Sequence, residues 1–222
     1  LRQSNDNDCE DADFPLSNIT TRNTYQTTRP TAGDPKFVAT WTTPVTVNYI
    51  AIARHNLSDV TGNDGYLYVT PTGGSSELVA SFENVSDNSP ILIPFASTEI
   101  EAAEIHFGNN AQGFKLAVCH LGEAVVMERS LRSSMSPLWL SNETDVNTQI
   151  SDGGEVLGSV LIRRGVTASP SWENLTKSFY NDTLKPLVRD MVTKPFFFTW
   201  RPDDHPFETM YGGATGDPSG SH

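Results

Sequence analysis

Residues 45–59 read VTVNYIAIARHNLSD. Apolar and polar side chains alternate through the first half of this stretch, the pattern of a half-buried strand. Val45, Val47, Tyr49 and Ala51 are expected on one face, and Ile50 and Ile52 on the other. Apolarity on both faces suits a central strand of a sandwich. The stretch then runs into Arg54, His55 and Asn56. A strand that ends in a short polar run uses His and Asn side chains to satisfy backbone groups as the chain turns, and this structural role is the favoured reading of the trio. The sharper alternative is a carbohydrate-binding rim, where sugar hydroxyls meet Arg54, His55 and an aromatic, Tyr66 or Tyr68.

The same pattern extends on both sides. KFVATWT (36–42) precedes the stretch; GYLYVTP, SELVASFE, PILIPFA, AAEIHFG and GFKLAVCHLG follow it. The breaks between them are rich in Gly, Asn, Asp and Pro, residues that accept turn dihedrals. Short strands at this spacing indicate an antiparallel sandwich or barrel. The first domain is therefore expected over residues 1–126, as a β-sandwich.

After Met127 the character changes. Residues 128–146 have no sustained period and read as an extended connector lying along a surface. GGEVLGSVLIRRG reads as a strand bounded by glycines. Trp172, Leu175 and Phe179 form one helical stripe, and Leu184, Leu187, Val188 and Met191 another, out of step with the first. Two short helices, or one broken near Asn181, are expected. Pro186 is tolerable close to a helix start, where the N–H groups have no intrahelical acceptor. KPFFFTWRP (194–202) is a strand apolar on both faces. Residues 127–222 are thus expected to form a connector plus a small α+β domain.

Composition narrows the function. The chain has 222 residues, 37% of them hydrophobic, enough to bury a core, and no apolar run reaches the length of a membrane-spanning helix. A net charge of −12 without any basic stripe excludes nucleic acid as the expected partner. The chain opens on Leu1 and closes on a glycine-rich tail, so the native chain is expected to extend beyond both ends. Cys9 and Cys119 offer a single bridge, fewer than a disulfide-dependent secreted domain uses, and a reduced pair is expected. Six Asn-X-Ser/Thr sequons, starting at Asn18, Asn56, Asn84, Asn142, Asn174 and Asn181, carry little weight in a chain so rich in Ser and Thr.

No metal or cofactor is expected. The histidines at 55, 106, 120, 205 and 222 show no helical ligand spacing. Cys119 and His120 are adjacent on a strand and point to opposite faces. Asp59, Asn63 and Asp64 lack the regular ligand spacing of a calcium loop, and turn formation explains them. There is no Gly-X-Ser-X-Gly elbow, and Asp203 and Asp204 read as solvated turn acids. Catalysis is therefore not expected.

Two quoted segments carry a resemblance. FPLSNITTRNTYQTTRPT (14–31), followed by residues 45–59, resembles the opening of galactose-binding-like (discoidin-type) jelly rolls of bacteriophage tails, through Pro15-Leu16-Ser17-Asn18, the Val47–Ile52 strand and His55-Asn56-Leu57. Residues 116–131, 151–165, 171–188 and 194–211 look like downstream blocks of a phage tail structural protein. The resemblance implies a mainly β chain, an antiparallel jelly roll followed by a small α+β unit. It also implies a structural virion protein of the tail tip or baseplate, assembled in the host cytoplasm without enzyme activity. Other copies in a symmetric ring, and tail hub, tube or fibre proteins, are the implied partners; host cell-surface polysaccharide is the further candidate. Phe196, Phe197, Phe198 and Trp200 would form the assembly interface, being too concentrated for a small unit to bury alone. In such proteins a last strand usually follows this hairpin; here the chain is expected to stop short of it.

Overall fold

The structure is a computed structural model that describes residues 13–30, 36–60, 64–108, 113–131 and 136–216; Cys9, Asn63 and His222 lie outside the described residues. The chain is mainly β and antiparallel. It divides into two compact units. One comprises Leu1–Val126 with Lys185–His222, the other Met127–Leu184.

The first unit is built on five strands, β1 (Lys36–His55), β2 (Gly65–Pro71), β3 (Glu77–Phe82), β4 (Ile91–Phe107) and β5 (Leu116–Gly122). They pair antiparallel in the order β3-β2-β4-β1-β5. Residues expected as separate strands on either side of Pro44 join as one, and so do PILIPFA (90–96) and AAEIHFG (102–108). A flat sheet in this order would keep β3 and β5 apart. Instead Phe82 of β3 touches Phe107 (ring centroids 6.0 Å), and Phe107 touches Phe114 just before β5 (4.5 Å). The sheet therefore folds over itself into a sandwich.

The fold-over occurs where the β1–β4 ladder breaks. Between Thr40↔Ala102 and Val45↔Ile100, β1 advances five residues while β4 advances two; between Val47↔Thr98 and Tyr49↔Pro94, β1 advances two while β4 advances four. Pro44 and Pro94 stand at these bulges and have no N–H to give to a ladder. The second shift also reassigns faces. Val47 was expected beside Tyr49 and Ala51, but it joins Ile50 and Ile52 in the core, while Ala53 turns to the outer side. That core also holds Phe37, Leu67, Val69, Ile100, Phe107, Phe114 and Leu116. Each such fully buried side chain contributes about 1.5–3 kcal/mol.

The last strands complete this unit. β8 (Phe196–Thr199) pairs with β9 (Thr209–Gly212) as a closing hairpin. Phe197 and Tyr211 pack on Ala53, Ala117 and Val118, and Leu92 N–H donates to the Pro206 carbonyl at 3.1 Å. The chain after residue 126 therefore does not stay together as one domain. Its final part returns to the sandwich because the outer face of β1 and β5 is apolar enough to bury an aromatic hairpin.

In the second unit β6 (Asn142–Ile150) and β7 (Val156–Val166) form an antiparallel hairpin, closed by a turn with Gly154 at φ +86°. Residues 142–146, expected as connector, are thus the start of a strand. A helical stretch begins at α1 (Lys177–Phe179) and passes through a π turn (Tyr180–Leu184). Beyond the unit boundary it continues as α2 (Lys185–Met191). The π turn contains Asn181, where a break was expected, and Pro186, which offers no N–H, follows it.

Candidate functional site

The polar trio at the end of β1 ties loops together. His55 is buried; its Nε2 donates to the Ser89 carbonyl at 2.8 Å and its Nδ1 accepts from Leu57 N–H at 3.4 Å. Burial holds its imidazole below the usual 6.5, against the opposing pull of that carbonyl and of Asp87 and Asp59. Asn56 donates to the Gly113 carbonyl at 2.9 Å and accepts from Lys115 N–H at 2.7 Å. Its amide nitrogen, the sequon atom, is engaged in the fold. Asn88 adds a third tie, accepting from Ser58 N–H at 3.1 Å and donating to Asp59 at 2.9 Å. Asp64 accepts from Asn84 N–H at 3.0 Å, so the two described acids of the calcium candidate serve turns. Arg54 is exposed with φ +54°, a strained geometry that reverses the chain at the end of the strand.

Tyr66 and Tyr68 are not beside this cluster. The register sets Tyr66 opposite His106 and Tyr68 opposite Glu104 on β4, and these in turn opposite Lys36 and Val38 at the start of β1. Leu67, Val69, Ile105 and Phe107 point inward from the same strands. By alternation the two tyrosines, His106, Glu104 and Lys36 share the outer face. There Tyr68 packs against His106 (ring centroids 4.9 Å), and His106 Nε2 meets Glu104 Oε2 at 3.2 Å. Lys36 Nζ reaches the same oxygen at 2.8 Å. Burial alone would raise the Glu104 carboxyl, but the hydrogen bonds from Lys36 and His106 outweigh it and hold it below its usual value. All five side chains are partly exposed.

The sequence reading missed Glu104, His106 and Lys36 as partners of the tyrosines. The alternation of AAEIHFG does place Glu104 and His106 on one face, but only the strand register brings them beside Tyr66 and Tyr68.

Other candidates resolve differently. Cys119 lines an apolar groove of about 270 Å³ with Phe37, Trp41 and Leu121, and burial pushes its thiol up to about 12. His120, on the opposite face, meets the rings of Phe197 (5.4 Å) and Tyr211 (6.2 Å). Among the described residues no group of three or more His, Cys, Asp or Glu gathers as for a metal ion. Phe196, Phe197, Phe198 and Trp200 are partly buried. Trp200 Nε1 donates to Glu208 at 2.6 Å, and Arg201 caps its ring at 4.1 Å. Phe197 and Trp200 thus find partners within the chain.

No family model matches the chain, and neither does any curated protein. Its structure is similar to a family 32 carbohydrate-binding module of C. perfringens NanJ in complex with galactose. There the identity is 18% and the TM-score 0.44, over 51% of this chain and 88% of the module. It is also similar to the same kind of module of AlyQ in complex with 4,5-unsaturated mannuronic acid, at 15% identity and TM-score 0.41 over 53% and 92%. A third is chitosan-binding module 1 of a Paenibacillus sp. IK-5 chitosanase/glucanase, at 13% identity and TM-score 0.40 over 51% and 84%.

Proposed function

We propose that the chain recognises carbohydrate, without turnover, through the outer face formed by β2, β4 and the start of β1. The observation that carries this reading is the pairing of two aromatic rings, Tyr66 and Tyr68, with an ionic cluster, Lys36–Glu104–His106, on one partly exposed sheet face. A sugar ring presents an apolar C–H face and a rim of hydroxyls. Aromatic rings accept the first, and a carboxylate, an ammonium and an imidazole give donors and acceptors for the second. Glu104 stays ionised and preset by its two partners, so little ordering is needed on binding.

Calorimetric titration with neutral oligosaccharides tests it. Binding weakened at least tenfold by Tyr68→Ala, with an unchanged circular dichroism spectrum, supports the reading. No heat up to millimolar sugar, or an unaffected Tyr68→Ala, removes it.

A second reading is a structural virion protein of a phage tail. The observation favouring it is the set of exposed apolar side chains on β7, including Leu157, Val160 and Ile162. Immunogold microscopy of particles would support it by labelling a tail tip; chain found only free of particles would count against it.

A further inference from the structure

We infer that the β6–β7 hairpin is a self-association surface, on which a second copy of this chain packs face to face. The register sorts the hairpin into two unlike faces. Val146, Ile150, Val156, Leu161 and Val166 share one; Glu143, Asp145, Asn147 and Gln149, with Val160 opposite Asn147, occupy the other. The five apolar side chains are 39–68% exposed. Leu157 and Ile162, the extra residues at the two register shifts, are 67% and 60% exposed. An isolated two-stranded hairpin is marginal in water and needs its apolar face covered.

Area favours a sister copy as the cover. The seven side chains expose on the order of 700 Å², close to the ~800 Å² each partner gives to a standard-size interface. This inference does not depend on sugar binding, which uses other strands.

Sedimentation velocity of the 222-residue chain from 1 to 100 μM tests it. The expected result is a species of twice 24.3 kDa that Leu161→Asp converts to monomer. Gln149→Glu, on the polar face, should leave it dimeric. Hydrogen exchange on the Leu161→Asp variant should show β1–β5 still protected, so that loss of the dimer is not loss of the fold. A wild-type monomer throughout this range, a trimer or larger ring, or a dimer that survives Leu161→Asp overturns the inference.

Discussion

At the scale of single residues, the positions that matter most are those that close a turn or admit a neighbour. Gly65 is one: a Cβ there would sit 2.0 Å from the Phe82 ring, which is itself buried against Phe107. Gly65→Ala should therefore cost about 1–3 kcal/mol by overpacking, read as a lower urea midpoint at unchanged slope. His55 is another. Burial holds both His55 and His120 below the usual 6.5, so the unfolded chain binds protons that the folded chain resists. Stability should then fall as pH drops through 6.5 towards the folded values. The depressed carboxyls of Glu104 and Glu208 add their own loss only below 4.5. Melting temperature followed from pH 8 to 5 checks this, and a flat profile would refute it. Cys119, partly buried and with its thiol pushed up to about 12 by desolvation, should be alkylated more slowly in the native chain than in denaturant, as peptide mass spectrometry would reveal. The sequence pattern allowed His55 and Asn56 a structural role, because a polar run at a strand end has backbone groups to satisfy. It could not show that Asn56 fastens the loop just before β5, nearly sixty residues away.

Elements were legible where apolar residues alternate, and obscure where bulges or polar strands intervene. GYLYVTP coincides with β2 because its alternation is unbroken. Pro44 suggested two strands, yet β1 passes through it, since a bulge removes the ladder bond that proline cannot make. The same kind of bulge reversed the face assigned to Val47. β6 escaped notice because NETDVNTQI carries little apolar signal and draws its strand character from pairing with β7. The helix near Asn181 was legible through the mismatch of its two apolar stripes. At its start, Thr176 Oγ1 accepts from Phe179 N–H at 3.3 Å and donates to Glu128 at 2.9 Å. Thr176→Ala should lose the cap and weaken this helix by about 1 kcal/mol, seen as faster amide exchange over residues 177–184.

For the whole molecule, charge selects among ligands. With −12 overall, the chain repels polyanions at long range. Neutral or amine-bearing glycans should bind more tightly than uronate polymers at low salt. The gap should narrow as screening lengths shrink from about 10 Å at 0.1 M to about 3 Å at 1 M. The aromatic C-terminal segment shows why a domain boundary is hard to draw from sequence: its cover is the face of a strand about eighty residues upstream, which no local pattern announces. The candidate site has the same character, since it is assembled from three strands by register. Amide chemical-shift mapping of the chain during titration with a neutral oligosaccharide tests its location most directly. Shifts are expected to concentrate at Tyr66, Tyr68, Glu104 and His106. Shifts confined to the loop cluster around Arg54 and Asn88, or none at millimolar sugar, would contradict it.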